Sequence, residues 1–520
     1  MIPSDECNRL GYLGGHDVTH TVENNAQSTA PGGASQLTRR SLSGVAWMVF
    51  QTLASKSFGL IGQIILARLL TPHDFGLVGL AYAAGAIPNI LRQSGVPQIL
   101  VQKRRSFVRW AAAAFWMEIA LGIAAGILML LAAPYAAMAF HAPQLIPIME
   151  IIAPGVAITA LFAVPTARLM QDMRFRELAM IGLGYNMIAM VLSIVLAALG
   201  WGVYSFVIPL PVVGALRAIA LWIAAPTRIG FNPRFGRWPQ LVEKSSLLMG
   251  AVVFQTISRI AEMSCLRAFV SVTIVGDYFF ASNLSTQISQ VFSTNVASVL
   301  YPALHSMENQ TARQTQAFLR AANLVAMVGM PLCVLESLLA EPLLTLVYGS
   351  KWDAAIVPLE LLSLGAGFML LMEPSLNFLL AQGRFRFQLT WASSSAMVYV
   401  PLALFAAWAG GAVMLAAMVS LYWILAAPLL ARLAIGNRGG TWRDVAAIFL
   451  RPAGMAAVAA APWIAVRYLG AGIKLPIWEN IVCGGFSFVL IYTALCVWFR
   501  GSELAALWNA IWHGRGDITG

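Results

Sequence analysis

Long apolar runs separated by short polar stretches make up most of the chain from residue 39 onward. Each run is about twenty residues long, the length that a helix needs to span a hydrocarbon core of roughly 30 Å. Apolar and polar residues do not alternate with a period of two, which excludes a membrane β-barrel. The pattern predicts an all-α integral membrane protein of about fourteen transmembrane helices, near residues 43–67, 75–99, 110–133, 146–168, 178–200, 202–225, 244–269, 275–300, 317–339, 354–381, 388–409, 411–433, 445–469 and 477–499.

Two pairs of these helices are separated only by short turns that contain glycine. Gly200 and Gly202 divide the fifth predicted helix from the sixth, and Gly410 and Gly411 divide the eleventh from the twelfth. Glycine permits the sharp reversals that such short connections need. We therefore expect each of these pairs to be two helices rather than one.

Composition agrees with a chain that faces lipid. Of the 520 residues, 59% are hydrophobic and 11% are charged, and the mean hydropathy is +0.74, whereas soluble proteins carry about 25% charged residues. The five cysteines form no CxxC pair and the six histidines form no HExxH motif. We therefore predict neither a disulfide nor a metal site.

The positive charges are distributed unevenly over the predicted connections. When the N-terminus is placed inside, most Lys and Arg residues lie in inner connections, as is typical of bacterial inner-membrane proteins. The distribution predicts that both termini are cytoplasmic, and it accounts for the net charge of +11 without nucleic acid binding. The outer connections hold only Arg68, Arg267, Lys351, Arg467 and Lys474.

A short internal repeat divides the predicted helices into two sets. The segment that begins at Val49, Val-Phe-Gln-Thr, recurs at Val253. Six predicted helices separate the copies, so both have the same orientation and the sets are related by an axis along the membrane normal. We predict a disordered cytoplasmic tail without a signal peptide, two six-helix lobes and a final helix pair with a C-terminal tail. These regions cover residues 1–38, 39–240, 241–436 and 437–520.

Polar side chains form stripes at helical spacing on the first two helices of each predicted lobe. A charged side chain at the bilayer centre costs about 2.5–3.5 kcal/mol or more, so we expect the stripes to face a shared hydrated cavity. Its excess of cations favours an anionic substrate, such as a pyrophosphate headgroup or acidic sugars. The candidate binding residues are Thr52, Lys56, Gln63, Asn89, Arg92, Arg259, Asn283, Gln287 and Gln290.

A plainer interpretation remains open for several of these residues. Single polar side chains in membrane helices often only form hydrogen bonds between helices. For Asn89 and Gln290 this interpretation and the cavity interpretation are both open. Arg92 and Arg217 lie near enough to the inner surface to reach lipid headgroups.

Three acidic residues in apolar runs are candidates for a gate or for ion coupling. Glu262 lies one turn from Arg259 and could pair with it. Glu118 and Glu373 could bind a proton or an ion, or could be hydrogen-bonded carboxyl groups of purely structural importance. The sequence holds neither a GxxxxGK[ST] phosphate loop nor a GxSxG motif. We therefore predict a protein that is not an enzyme and has no cofactor.

Several segments resemble the polysaccharide transporter family, the Wzx-like and colanic-acid-exporter-like branch of the MOP flippase superfamily. The most specific is Tyr-Gly-Ser-Lys-Trp-Asp, which begins at Tyr348. The resemblance extends over residues 39–500. The other similar segments are Arg-Ser-Leu-Ser-Gly-Val-Ala-Trp from Arg40, Ala-Arg-Leu-Leu-Thr-Pro-His-Asp-Phe-Gly from Ala67, Gln-Asp-Met-Arg-Phe from Gln171 and Val-Leu-Tyr-Pro-Ala from Val299.

This resemblance implies two lobes around a central cationic cavity that opens alternately to the two sides of the membrane. The implied cargo is an oligosaccharide linked to a polyprenyl diphosphate, carried for exopolysaccharide, capsule or O-antigen synthesis. Membrane lipids, a polysaccharide polymerase and chain-length or export proteins are the expected partners. The alternatives are a MATE-like drug or cation antiporter, a peptidoglycan-precursor flippase and, less favoured because the outer loops are short, a polysaccharide polymerase.

Overall fold

The computed structural model describes residues 47, 51–52, 54–92, 100, 107–227, 233, 235–307, 310–436, 440–469 and 480–513. Within these ranges every regular element is a helix. The predicted tail, residues 1–38, lies outside the described residues. The first seven helices are α1 (54–69), α2 (Pro72–Arg92), α3 (Phe107–Ala139), α4 (Leu145–Gln171), α5 (Phe175–Ala198), α6 (Tyr204–Ala224) and α7 (Trp238–Phe269). The next are α8 (Val272–Ser306), α9 (Thr311–Leu343), α10 (Ile356–Met369 and Met372–Ala381), α11 and α12 (the two parts of Phe385–Ile435), α13 (Trp442–Leu469) and α14 (Gly485–His513).

Each of the helical segments that the sequence predicts overlaps one of these helices. Nine helical segments of the described chain are long and apolar enough to cross a membrane, and one of the nine, Phe385–Ile435, holds both α11 and α12. The chain is therefore an all-α, multi-pass membrane protein. The number of fourteen crossings stays a prediction.

The glycine-containing turns lie where the sequence places them. Gly411 has φ +61° and ψ −139°, outside the helical region, and it separates α11 from α12. Gly200 and Gly202 have φ values of +82° and +52° in the turn between α5 and α6. A side chain would strain the backbone at such positive φ values, so glycine is needed for the chain to reverse there.

Helix α1 packs closely on α5, within the N-lobe (α1–α6). The amide of Asn186 donates to the Ser55 hydroxyl at 3.1 Å, and Gly62 lies against Met190. In the same lobe Gly122 and Gly126, which form a GxxxG motif, bring α3 against the backbone of α4. Small residues thus allow the N-lobe helices to approach one another closely.

The last two helices pack on the C-lobe (α7–α12). Helix α13 contacts α9 along its length, and the hydroxyl of Tyr492 on α14 donates to the carbonyl of Met327 on α9 at 2.7 Å. The division of the chain into two six-helix lobes and a final helix pair at the predicted boundaries stays a prediction.

One hydrophobic cluster joins the two lobes at the end of the molecule where α1 meets α2 and α7 meets α8. Phe75 of the N-lobe and Phe280 of the C-lobe are both buried in it. The indole of Trp352, fully buried, stacks on Phe280 with ring centroids 4.0 Å apart and lies edge-on to Phe75 at 5.0 Å. We call this part of the molecule the closed end.

The helix ends define a different register for the internal repeat from the one the sequence suggests. Helix α2 begins at Pro72 and α8 at Val272, each directly after a two-residue connection, so Gly76 corresponds to Gly276. The first Val-Phe-Gln-Thr copy begins at Val49, which lies outside the described residues. By sequence number, the second copy, at Val253, begins about four residues later than this register requires, which is about one helical turn. The short identity therefore does not follow the register of the helix ends, although both lobes begin with the same arrangement of helices.

Candidate functional site

Two side-chain hydrogen bonds connect α1 of the N-lobe with α8 of the C-lobe. The ammonium Nζ of Lys56 donates to Oε1 of Gln290 at 2.7 Å. The amide Nε2 of Gln287 donates to Oε1 of Gln63. Lys56 and Gln63 lie two turns apart on one face of α1, and the two glutamines lie one turn apart on α8. We call these four residues the polar ladder.

Of the three other candidates on the first two helices, the structure describes the side chains of two. Thr52, one turn before Lys56, and Asn89, on α2, are half-buried, and each has an interaction partner. The backbone of Arg92 ends α2, and its side chain lies outside the described part of the chain.

Asn283 lies on the ladder face of α8, one turn before Gln287, but it makes a different contact. Its amide Nδ2 donates to the carbonyl of Phe279 in the same helix at 2.8 Å. Asn283 therefore contributes a polar surface next to the ladder and no bond between lobes.

Arg259 belongs to a second group of residues, entirely within the C-lobe. Its exposed guanidinium attracts the carboxylates of Glu262, on the same helix, and Glu373, at the start of the second segment of α10. Neither carboxylate forms a salt bridge within 4.0 Å of it in the described part of the chain. The predicted site is thus divided between the ladder and this group.

Glu262 is held by tyrosine hydroxyl groups rather than by Arg259. Tyr278 of α8 donates to one carboxylate oxygen at 3.3 Å, and Tyr399 of α11 donates to the other. Tyr422 of α12 packs edge-on against Tyr399 with ring centroids 4.8 Å apart. We call Glu262 and these three tyrosines the acid–tyrosine cluster. Sequence analysis missed the tyrosines, because no spacing along the chain connects Tyr399 to Glu262; the only signal is that a tyrosine hydroxyl in an apolar helix needs a partner.

Glu118 belongs to the other lobe from the acid–tyrosine cluster. It lies on α3 in the N-lobe, is only 3% exposed and has an interaction partner. A buried carboxyl group with a partner fits the structural interpretation of this residue, and its use for an ion stays a prediction.

Arg217 is a half-buried residue of the N-lobe that lies against two aromatic rings. Its guanidinium carbon is 4.9 Å from the ring centroids of both Phe162 and Tyr185. It also lines a groove of about 160 Å³ between α5 and α6, together with Ile188 and Leu216. Cation–π contacts stabilise a buried guanidinium, and this groove is separate from the ladder.

Comparison with known proteins identifies the family of the chain. A family model described as "Polysaccharide biosynthesis protein" matches residues 65–357. The succinoglycan biosynthesis transport protein ExoT of Rhizobium meliloti (strain 1021) is 23% identical over 348 residues, 67% of this chain and 70% of ExoT. The lipopolysaccharide biosynthesis protein WzxC of Escherichia coli (strain K12) is 19% identical over 376 residues, 70% of this chain and 75% of WzxC.

The fold is similar to that of a solved flippase. The lipid II flippase MurJ, in an inward closed conformation, superposes with a TM-score of 0.71 over 88% of this chain and 99% of MurJ, at 15% identity. This likeness shows the fold alone, and a multidrug resistance MATE family transporter of the MOP superfamily, in an inward-facing conformation, shares it with a TM-score of 0.60 at 14% identity. Because the family model matches more than half of the chain, the protein belongs to the polysaccharide biosynthesis protein family.

Proposed function

We propose that this protein translocates oligosaccharide repeat units, linked to a polyprenyl diphosphate, across the bacterial inner membrane for exopolysaccharide, capsule or O-antigen synthesis. The family and the names of two relatives, a succinoglycan transport protein and a lipopolysaccharide biosynthesis protein, support this substrate class. A polymerase and chain-length or export proteins act on the product at the outer face.

The observation that carries the proposal is the bond between Lys56 and Gln290. The ammonium group lies on a membrane helix, half-buried, and the acceptor at 2.7 Å is a neutral amide on the opposite lobe. A phosphate oxygen is a better partner for an ammonium than a neutral amide, since it adds the Coulomb attraction between opposite charges to the hydrogen bond. A diphosphate headgroup that entered between α1 and α8 would therefore displace Gln290 and bind Lys56.

This exchange provides a route for alternating access. In the closed form the ladder ties the lobes together below the closed end. A ligand that replaces Gln290 as the hydrogen-bond partner of Lys56 weakens the contact between the lobes. Such a ligand binds more tightly to the form in which the lobes are apart. This difference in affinity shifts the equilibrium between the two forms. The distribution of positive charges over the connections supports an orientation with the closed end at the outer face and both termini in the cytoplasm.

The acid–tyrosine cluster is the candidate site of ion coupling. Glu262 is half-buried in the C-lobe and is bonded to two tyrosine hydroxyl groups, with Arg259 and Glu373 nearby. A carboxyl group in that setting can gain or lose a proton or a cation as the lobe rearranges. The sequence holds no GxxxxGK[ST] phosphate loop, so an ion gradient, the membrane potential or the substrate gradient is the expected energy source.

Polymer export in cells tests the proposal. Lys56→Ala and Arg259→Ala are expected to abolish export while the protein still reaches the membrane, and Lys56→Arg is expected to retain part of the activity because it keeps the positive charge. Arg168→Ala is the matched control, since this arginine pairs with Asp172 at 2.9 Å at the end of α4. Normal export by both alanine variants would contradict the assignment of the site.

The alternative functions predict other outcomes of simple assays. A MATE-like antiporter would give resistance to particular drugs, and a peptidoglycan-precursor flippase would complement a strain depleted of that activity. A polymerase would show glycosyl transfer by the purified protein. The cationic ladder favours the anionic glycolipid over a cationic drug.

A further inference from the structure

At the closed end two cations each cap a helix of the opposite lobe. Arg68, at the end of α1, donates through Nη2 to the carbonyl of Leu346 at 2.5 Å and through Nε to that of Val347 at 2.6 Å. Both carbonyls lie in the π-helical turn that follows α9. In return, Nζ of Lys351 donates to the carbonyl of Arg68 at 2.8 Å, in the last turn of α1, and to that of Leu70 at 2.6 Å, directly after the helix.

The carbonyls at a helix C-terminus are the natural acceptors for such cations. The last four have no partner within the helix, and they carry the partial negative charge of the helix dipole. A cation beside them forms charge-assisted hydrogen bonds. Here each lobe supplies the cation that the other lobe's helix needs, so separation of the lobes leaves two helix ends uncapped at once.

Trp352 adds a further contact at the same place. Its indole Nε1 donates to the carbonyl of Ala67 at 3.1 Å, also at the end of α1. Its ring is fully buried between Phe75 and Phe280. Trp352, which directly follows Lys351, therefore belongs to the hydrophobic cluster that joins the two lobes.

The two sides of this contact belong to parts of the molecule that are packed separately. Helix α1 is bonded to α5 through Ser55 and Asn186 and lies against it at Gly62. The segment 344–352 connects α9 to α10 in the C-lobe. Any opening of the closed end must therefore break the five hydrogen bonds that Arg68, Lys351 and Trp352 make across it.

We propose that this reciprocal cap is a latch that holds the outer face shut and sets the equilibrium between the closed and open forms of that face. The inference rests on the alternating access of the proposed function and adds to it the residues that control the outer gate. Helix α1 carries both Lys56 and Arg68, about 18 Å apart along its axis, so one helix connects the ladder to the latch.

Cysteine labelling from the two sides of the membrane tests the latch. Tyr82 lies on α2 below the closed end, is 43% exposed and contacts Phe279 across the lobes with ring centroids 6.4 Å apart. Tyr82→Cys, in a background without the native cysteines, is reacted with a membrane-impermeant maleimide in intact cells and in inverted vesicles. We expect slow labelling from the closed-end side in the parent, and labelling about tenfold faster when Lys351→Met or Arg68→Met is added, because each change removes two hydrogen bonds.

Arg384 offers a matched control. Its Nη1 donates to the carbonyls of Leu433 and Ala434 at the end of α12, which is the same chemistry within a single lobe. Arg384→Met is therefore expected to leave the labelling rate of Tyr82→Cys unchanged, and Lys351→Arg is expected to stay close to the parent.

An unchanged labelling rate of Tyr82→Cys in both Lys351→Met and Arg68→Met would overturn the latch. An Arg384→Met change that raises the labelling rate as much as these two would also overturn it. If Lys351→Met does not reach the membrane, Arg68→Met and Lys351→Gln decide the question by the same assay. The readout needs no substrate, so normal polymer export by the Lys56 variants would contradict the proposed function and leave the latch intact.

Discussion

Gly76 and Gly276 are each pressed against the first residue of the other's helix. A Cβ on Gly276 would collide with the carbonyl oxygen of Pro72, which begins α2, and a Cβ on Gly76 would collide with that of Val272, which begins α8. Each glycine is one turn into its helix. The closed end thus has a local two-fold relationship between the lobes, and neither position has room for a side chain.

This close approach predicts a loss of stability from the smallest possible substitution. Gly276→Ala forces α2 and α8 apart and is expected to destabilise the closed form by about 1–3 kcal/mol, the usual cost of overpacking. The melting temperature of the purified protein in detergent measures the effect. Gly59→Ala on α1 is the control, since nothing lies within 4 Å of its added Cβ, and alanine is there expected to preserve or raise the melting temperature. Equal melting temperatures for the two variants would contradict the described contact.

Trp352 is predicted to be the most sensitive tryptophan at the closed end. Trp352→Ala leaves a cavity between Phe75 and Phe280 and removes the bond to Ala67, so we expect a loss of about 3–5 kcal/mol. Trp498→Ala is the matched control, because that side chain is 83% exposed and faces the surroundings of α14. Comparable melting curves for both variants would show that Trp352 does not seal the lobes.

Replacement of Glu262 is predicted to abolish ion coupling without an effect on folding. Glu262→Gln keeps the shape of the side chain and an oxygen acceptor for Tyr278 or Tyr399, but it cannot be ionised. We expect the variant to fold normally and to transport without response to an imposed proton or sodium gradient, measured in proteoliposomes. Glu150→Gln, which removes an exposed carboxylate from α4, should respond like the parent. A Glu262→Gln protein with unchanged gradient dependence would exclude this site from coupling.

The number and orientation of the crossings can be measured with reporter fusions. The charge distribution predicts that alkaline phosphatase fused after Gly349 is active, because that connection lies outside, and that phosphatase fused at the C-terminus is inactive. A fluorescent protein that matures only in the cytoplasm should give the opposite pattern. Activity of the C-terminal phosphatase fusion would contradict fourteen crossings with both termini inside.

The helices could be predicted from the sequence because their signal is local. Three kinds of signal are visible along the chain: a run of about twenty apolar residues, a glycine in a short connection and a cation beyond the end of a run. The polar stripes of α1 and α8 predicted a shared hydrated cavity, since Lys56 and Gln63 need partners other than lipid, and that cavity stays a prediction. The structure brings those two residues to Gln290 and Gln287, while their use for a substrate stays a prediction.

The contacts that close the molecule could not be predicted in this way. Arg68 and Lys351 have the signature of loop charges, and their partners are backbone carbonyls, which every residue has and no sequence pattern marks. The partners of Glu262 come from α8 and α11, far away in the chain. The register of the internal repeat was likewise fixed only by the helix ends, because a four-residue identity is too short to fix depth in the membrane.

Translocation of a polyprenyl-diphosphate-linked oligosaccharide by the purified protein in liposomes tests the central claim most directly. If the ammonium of Lys56 receives the diphosphate in place of Gln290, Lys56→Ala is expected to lower the initial rate at least about tenfold. Lys56→Arg should retain part of the rate, and Arg168→Ala should equal the parent. Equal initial rates for Lys56→Ala and the parent would contradict the account.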